Sequence, residues 1–156
     1  MPSQEAPDTD VLSAPLIIEF PFKRTLGSVL SAFFTGLREQ TLMGVRMADG
    51  RIMCPPVEYD PVTSESLTEL VPVGQSGVVT TWSWVSSPSP KHPVGRPFAW
   101  ALIQLDGADT AMVHTVDTGS AGESGMSTGM RVIPQWADET VGQIQDIRCF
   151  TPLEAS

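Results

Sequence analysis

Cysteine, positive charge and long apolar runs are all scarce in this chain, and each shortage closes off a class of function. Cys54 and Cys149 are the only cysteines, too few for a disulfide framework or a four-cysteine metal site, so both are expected as reduced thiols in or near a core. Nine Lys and Arg stand against eighteen Asp and Glu, a formal net charge of -9. Nucleic-acid affinity rests on cations that neutralise phosphates, so no nucleic-acid partner is expected. No apolar run approaches the roughly 20 residues that span a bilayer. The opening MPSQEAPDTD lacks the basic start and apolar centre of a signal peptide. The expectation is a cytoplasmic protein with no membrane partner. With 156 residues, 41% of them hydrophobic, the chain can bury one real core and has little room for a second.

What is present is organised around residues 71–117. Within VPVGQSGVVTTWSWV, Val78, Thr80, Trp82 and Trp84 fall on one face of an extended segment and Val79, Thr81, Ser83 and Val85 on the other, the period of two that a strand needs. The run from Phe98 to Leu105 places Phe98, Trp100 and Leu102 opposite Ala99, Ala101, Ile103 and Leu105; small residues facing large ones suit the inside of a small barrel. Asp106-Gly107 then supplies a hairpin turn, and Ala108 to Val116 returns as a third strand.

The rest of the chain fits around that centre. Residues 1–15 are acidic and aperiodic and read as a disordered tail. LIIEFPF, with Pro21 inside it, reads as an edge or docking strand. Leu26, Val29, Leu30, Phe33 and Leu37 recur at helical spacing, with Thr25 or Ser28 to cap the start and an end near Arg38. Neighbouring residues on a helix point about 100° apart, so Phe33 and Phe34 either face two sides of their own domain or one of them meets a partner. LMGVRMADGRIMCPP reads as a hairpin turning at Ala48-Asp49-Gly50 and stopped by Pro55-Pro56. TGSAGESGMSTG reads as a mobile loop, and Met130 to Trp136 and Ile144 to Phe150 as closing strands. The inventory is mainly β: a five-stranded OB-fold barrel over 71–156, preceded by a strand and helix over 16–41 and a hairpin unit over 42–70.

The order of pieces carries a resemblance. A helix, a hairpin followed by Pro-Pro, Gly74-x-x-Gly77-x-Val79, a strand ending Leu105-Asp106-Gly107, Gly129-Met130-Arg131-Val132 and a last strand ending Phe150-x-Pro152 together resemble the acyl-CoA-associated family long catalogued as domain of unknown function 35. That family joins a rubredoxin-like zinc ribbon to an OB-fold. Its ribbon carries four cysteines, and zinc needs such thiolates or imidazoles in tetrahedral array. Set in register on Gly50 and Pro55-Pro56, this sequence offers Met47 and Asp49 or Gly50 at the first knuckle and Asp60 and Thr63 at the second. Cys54 falls where the pattern has an apolar residue. The ribbon is therefore expected to be degenerate and free of zinc, with no other resident cofactor.

The resemblance implies a non-catalytic companion of a thiolase-like acyl-CoA enzyme, an aldolase or thiolase of steroid side-chain degradation, held in a hetero-oligomer and helping to complete its active site or CoA tunnel. The docking face is expected at Phe33, Phe34, Met43, Ile52 and Met53. Five cations, Lys23, Arg24, Arg38, Arg46 and Arg51, stand against Glu39 and Asp49 between positions 23 and 51, a segment net positive by three in a chain otherwise net negative by twelve. Arg38, Arg46 and Arg51 are candidates for contact with CoA phosphates or an acidic partner face; the competing reading is pairing with the plentiful acids. No catalytic residue is expected. A Cys54, His114 and Asp117 arrangement has no support in spacing, His114 reads as a hydrogen-bonded strand residue and His92 as a solvated one. Trp82, Trp84 and Trp100 either line an apolar groove or fill the barrel. The alternative function is a stand-alone acyl-CoA or lipid-binding module; single-strand nucleic-acid binding, common for OB-folds, is disfavoured by charge.

Overall fold

The computed structural model describes residues 16, 18, 23 and 25–153. The acidic tail, Arg24 and most of LIIEFPF lie outside the described residues; Leu16 and Ile18 are described and exposed. In chain order the elements are α1 (Gly27–Arg38), β1 (Met43–Arg46), β2 (Ile52–Met53), β3 (Leu70–Pro72), β4 (Gly77–Val85), β5 (Phe98–Leu105), β6 (Ala111–Val116), β7 (Arg131–Trp136) and β8 (Ile147–Pro152). Short 3-10 helices occupy Gly119–Gly125 and Ile144–Asp146.

β4 to β8 close into a barrel in the order β4-β5-β6-β8-β7, the expected five-stranded OB architecture. All its pairings are antiparallel except β6 with β8, which meet in parallel at Val116 and Phe150. Ala99, Ala101, Ile103 and Leu105 face inward as the alternation requires and are almost fully buried. On β4 the alternation is broken rather than continuous: a register shift between Val79 and Thr81 inserts Thr80 as a bulge. The extra residue turns Trp82 and Trp84 to the side of Val79, where they pack against the core instead of sharing a face with Thr80.

Three further expectations change. Residues 118–126 form a folded 3-10 segment where a mobile loop was expected: Thr118 Oγ1 donates to the Gly122 carbonyl at 2.6 Å, Ser124 Oγ to the Ala121 carbonyl at 2.7 Å, and Met126 behind them is buried in the barrel core. Local side-chain bonds give this Gly/Ser-rich run a geometry that composition alone does not reveal. The last strand starts at Ile147 because Ile144–Asp146 is wound by Asp146. Its carboxylate accepts backbone N–H groups of Val141, Gly142 and Gln143. At α1 neither Thr25 nor Ser28 is the cap; Leu26 holds that position without a side-chain bond. The carboxylate of Glu58 lies so close to Gly27 that a Cβ there would sit 1.9 Å from its oxygen, so an acid from the next unit stands at the positive end of the helix.

α1 packs on the barrel rather than standing apart. Phe33, Leu37, Leu42 and Cys54 share one buried cluster with Val79, Ile103, Met112, Val132 and Phe150. The helix end is tied down by Thr140 Oγ1, which donates to the Arg38 carbonyl at 2.7 Å. No helix among the described residues is long and apolar enough to cross a membrane.

Candidate functional site

The hairpin unit is a small antiparallel sheet in the order β2-β1-β3. Val71 and Pro72 therefore belong to the hairpin, opposite Gly44 and Met43. The first turn closes at Gly50, whose φ of 88° suits only glycine comfortably. The second turn is built on Asp60: its amide donates to the Glu65 carbonyl, and its own carbonyl accepts from Ser64, each at 2.8 Å.

The Asp60 side chain joins the two turns. It is 5% exposed, and its carboxylate accepts the backbone N–H of Val62 at 2.8 Å and Thr63 at 3.0 Å from its own turn, and of Ala48 at 3.1 Å from the other. These backbone donors, Thr63 foremost, hold its carboxyl below the ordinary Asp range. Around it Met47, Asp49, Arg51, Val62 and Thr63 enclose a void of about 90 Å³. That donor set does not fit a structural zinc, which takes four thiolate or imidazole ligands. No group of three or more His, Cys, Asp or Glu side chains able to hold a metal occurs among the described residues.

Four hydrogen bonds moor the hairpin to the barrel. Ile52 exchanges its N–H and carbonyl with the Asp109 carboxylate and amide, both at 2.8 Å, and Cys54 does the same with the Thr110 hydroxyl at 2.9 and 3.0 Å. The turn between β5 and β6 thus continues β2.

The structure places the sequence-derived site residues unequally. Phe33 is 2% exposed and lies in the core of its own chain, with Phe34 edge-on to it at 5.5 Å. Both phenylalanines pack on their own chain, Phe34 less completely than Phe33. Phe34, Met43 and Ile52 are half-buried against that core, and Met53 packs on Val45, Met47 and Leu67 within the hairpin. Arg46 pairs with Glu69 and Arg51 with Asp49, each at 2.7 Å, whereas Arg38 has no ion-pair partner among the described residues. The apolar groups that the hairpin presents outward are Tyr59, 61% exposed, and Val62, 82% exposed. The signal that could have found them was two apolar residues within the otherwise polar EYDPVTSESLTE.

Cys54, His114 and Asp117 share no hydrogen bond. Burial pushes the Cys54 thiol up to about 12, the wrong direction for a nucleophile. Asp117 is engaged by Arg96 and by the Gly119 amide. His114 lies edge-on to Phe150 at 5.4 Å, and burial lowers its pKa.

Residues 70–137, from β3 to just beyond β7, match the family model described as the ChsH2 C-terminal OB-fold domain. The barrel is an OB-fold, similar over those residues to the ChsH2-type domain. The family resemblance carried by the motifs holds for the OB domain. Two solved structures share the wider fold. One is the Ltp2-ChsH2(DUF35) aldolase, at a TM-score of 0.59 and 18% identity over 83% of this chain and 98% of that one. The other is a DUF35-family protein of unknown function from Sulfolobus solfataricus, at 0.58 and 15% over 81% and 83%. No protein of curated function matches the chain significantly. Both likenesses extend beyond the stretch that matches the family model, since each covers more of the chain than residues 70–137.

Proposed function

We propose that this chain is a non-catalytic accessory subunit that docks through its hairpin onto a thiolase-like acyl-CoA enzyme, an aldolase or thiolase of steroid side-chain degradation, and helps complete that enzyme's active site or CoA tunnel. The observation that carries the reading is the exposure of Tyr59 and Val62 on a hairpin that hydrogen bonds fix to the barrel. Apolar groups on a firmly held protrusion bind at little cost in ordering, and tyrosine is favoured at interface centres. The fold likeness to the Ltp2-ChsH2(DUF35) aldolase supports a partner of that kind. The hairpin functions without zinc, its turns joined by Asp60 instead, and the assembly is a cytoplasmic hetero-oligomer in which a CoA thioester lies at or near the interface, within reach of Arg38.

Co-expression with a thiolase-like enzyme tests this. The two chains co-elute, the partner gains activity or solubility, and the purified assembly contains no stoichiometric zinc. Separate elution, with a partner equally active and soluble alone, overturns the reading.

A further inference from the structure

The barrel is least complete between β6 and β8. These strands share the single register pair of Val116 with Phe150, reinforced by the Asp117 amide donating to the Phe150 carbonyl at 2.8 Å. Before that point they diverge, because Asp146 winds residues 141–146 back on themselves instead of letting them extend along β6. The divergence leaves a cleft of about 600 Å³, within the range of roughly 300–1,000 Å³ usual for small-molecule sites.

Its lining has two kinds of surface. Trp100 and Val113 on adjacent strands and Ile144 and Ile147 across from them form apolar walls. Val113 is 61% exposed in mid-strand, and Trp100 is 36% exposed where Trp82 and Trp84 are packed against the core. At the same cleft stand Lys91 and Arg148, neither of which forms an ion pair among the described residues. Arg46, Arg51, Arg96 and Arg131 each do. In a chain with twice as many acids as bases, two unpaired cations beside exposed apolar strand residues are a complement to something outside the chain. His114 lies at the back, where burial favours the neutral ring and so a hydrogen-bonding group rather than a third charge.

From this lining we infer that the β6–β8 cleft binds a small amphipathic anion, an apolar body carrying a carboxylate or phosphate head. The body lies on Trp100, Val113, Ile144 and Ile147, and the head meets Arg148 and Lys91. Arg148 can take either head through two parallel N–H bonds. The site is separate from the hairpin and does not depend on the accessory-subunit reading.

The test uses the chain alone with dodecanoate, dodecyl phosphate and dodecanol in isothermal titration, and with a chain-brominated dodecanoate as a tryptophan quencher. At least one of the two anions binds, dodecanol binds on the order of tenfold more weakly than that anion, and the Lys91→Gln, Arg148→Gln double variant loses about the same factor. Trp100→Phe removes most of the quench while the other three tryptophans remain. Circular dichroism establishes that both variants are folded. Equal binding of dodecanol, or a quench that persists in Trp100→Phe, overturns the inference. So does failure of both anions to bind, including the case in which Val113→Arg instead abolishes co-elution with the partner enzyme and marks the cleft as a protein contact.

Discussion

Arg131 grips Asp106 with both arms of its guanidinium, Nη1 donating to Oδ1 at 2.6 Å and Nη2 to Oδ2, while Ser76 donates its hydroxyl to the same carboxylate. The pair joins three separate parts of the barrel: the lead into β4, the turn after β5 and the start of β7. Gly74 donates its N–H to the Asp106 carbonyl at 2.7 Å, and a Cβ on Gly74 would lie 2.8 Å from that of Asp106. Gly77 is equally confined, with the Gln104 carbonyl oxygen 2.6 Å from where its Cβ would be. The Gly-x-x-Gly-x-Val, Leu-Asp-Gly and Gly-Met-Arg-Val motifs therefore meet in one latch. Their residues fix the closure of the barrel.

The latch makes stability dependent on acid. The Arg131 and Ser76 hydrogen bonds lower the Asp106 carboxyl to about 2, against about 3.9 in an unfolded chain. A depressed pKa contributes stability above the unfolded value, and that contribution fades as pH falls through about 4 and is lost below about 2. Both side chains are more than two-fifths exposed, so screening limits the contribution to about 1 kcal/mol. Urea unfolding of Asp106→Asn should show that deficit at pH 7 and almost none near pH 2. A deficit of the same size at both pH values would rule out the charged pair as its cause.

Asp60 provides a second, local acid dependence. It accepts N–H groups from both hairpin turns, so Asp60→Ala leaves three backbone donors without their protein acceptor. Amide exchange at Ala48, Val62 and Thr63 should accelerate by about tenfold or more, with barrel amides such as Ile103 unchanged. Its carboxyl also lies below the ordinary range, so the wild-type hairpin should keep its protection above pH 4 and lose it as pH falls below that. Uniform acceleration across hairpin and barrel would mean that Asp60 supports the whole fold rather than this joint.

The barrel was legible because its central strand β5 alternates clearly, as Ala99, Ala101, Ile103 and Leu105 show. What alternation cannot show is a single inserted residue. Thr80 reverses the facing of everything after it on β4, and no property of threonine announces a bulge there. Charge was harder still. The cluster between positions 23 and 51 stood out because its cations are close in sequence, yet Arg46 and Arg51 are neutralised by Glu69 and Asp49. Lys91 and Arg148 are far apart in sequence and meet only through the fold at one cleft. The joining role of Asp60 was half legible: register placed it at the second knuckle, but its reach to Ala48 belongs to three dimensions.

Neither thiol is available in the folded chain. Cys54 and Cys149 are free and buried, and burial raises both, Cys54 to about 12. A thiol reagent such as dithionitrobenzoate at pH 8 should leave both unmodified in the native protein and titrate two thiols after denaturation. Rapid native labelling of Cys54 would show that the hairpin opens away from Thr110, because both bonds of that residue cover the Cys54 backbone.

Burial separates the residues that hold the chain together from those that can hold a partner. Phe33 fills the core at 2% exposure, so Phe33→Ala should cost about 3–5 kcal/mol of stability and weaken partner binding only by unfolding the chain. Val62 is 82% exposed, so Val62→Asp should change stability by no more than about 0.5 kcal/mol. Its carboxylate would nevertheless enter the proposed interface uncompensated, and co-elution with the thiolase-like partner should be lost while the melting temperature stays that of the wild type. Tyr59→Asp should behave in the same way. If both variants co-elute like the wild type, the second hairpin turn is not the docking face. Loss of co-elution in the milder Phe34→Leu, with stability preserved, would then move the contact to the half-buried side of α1.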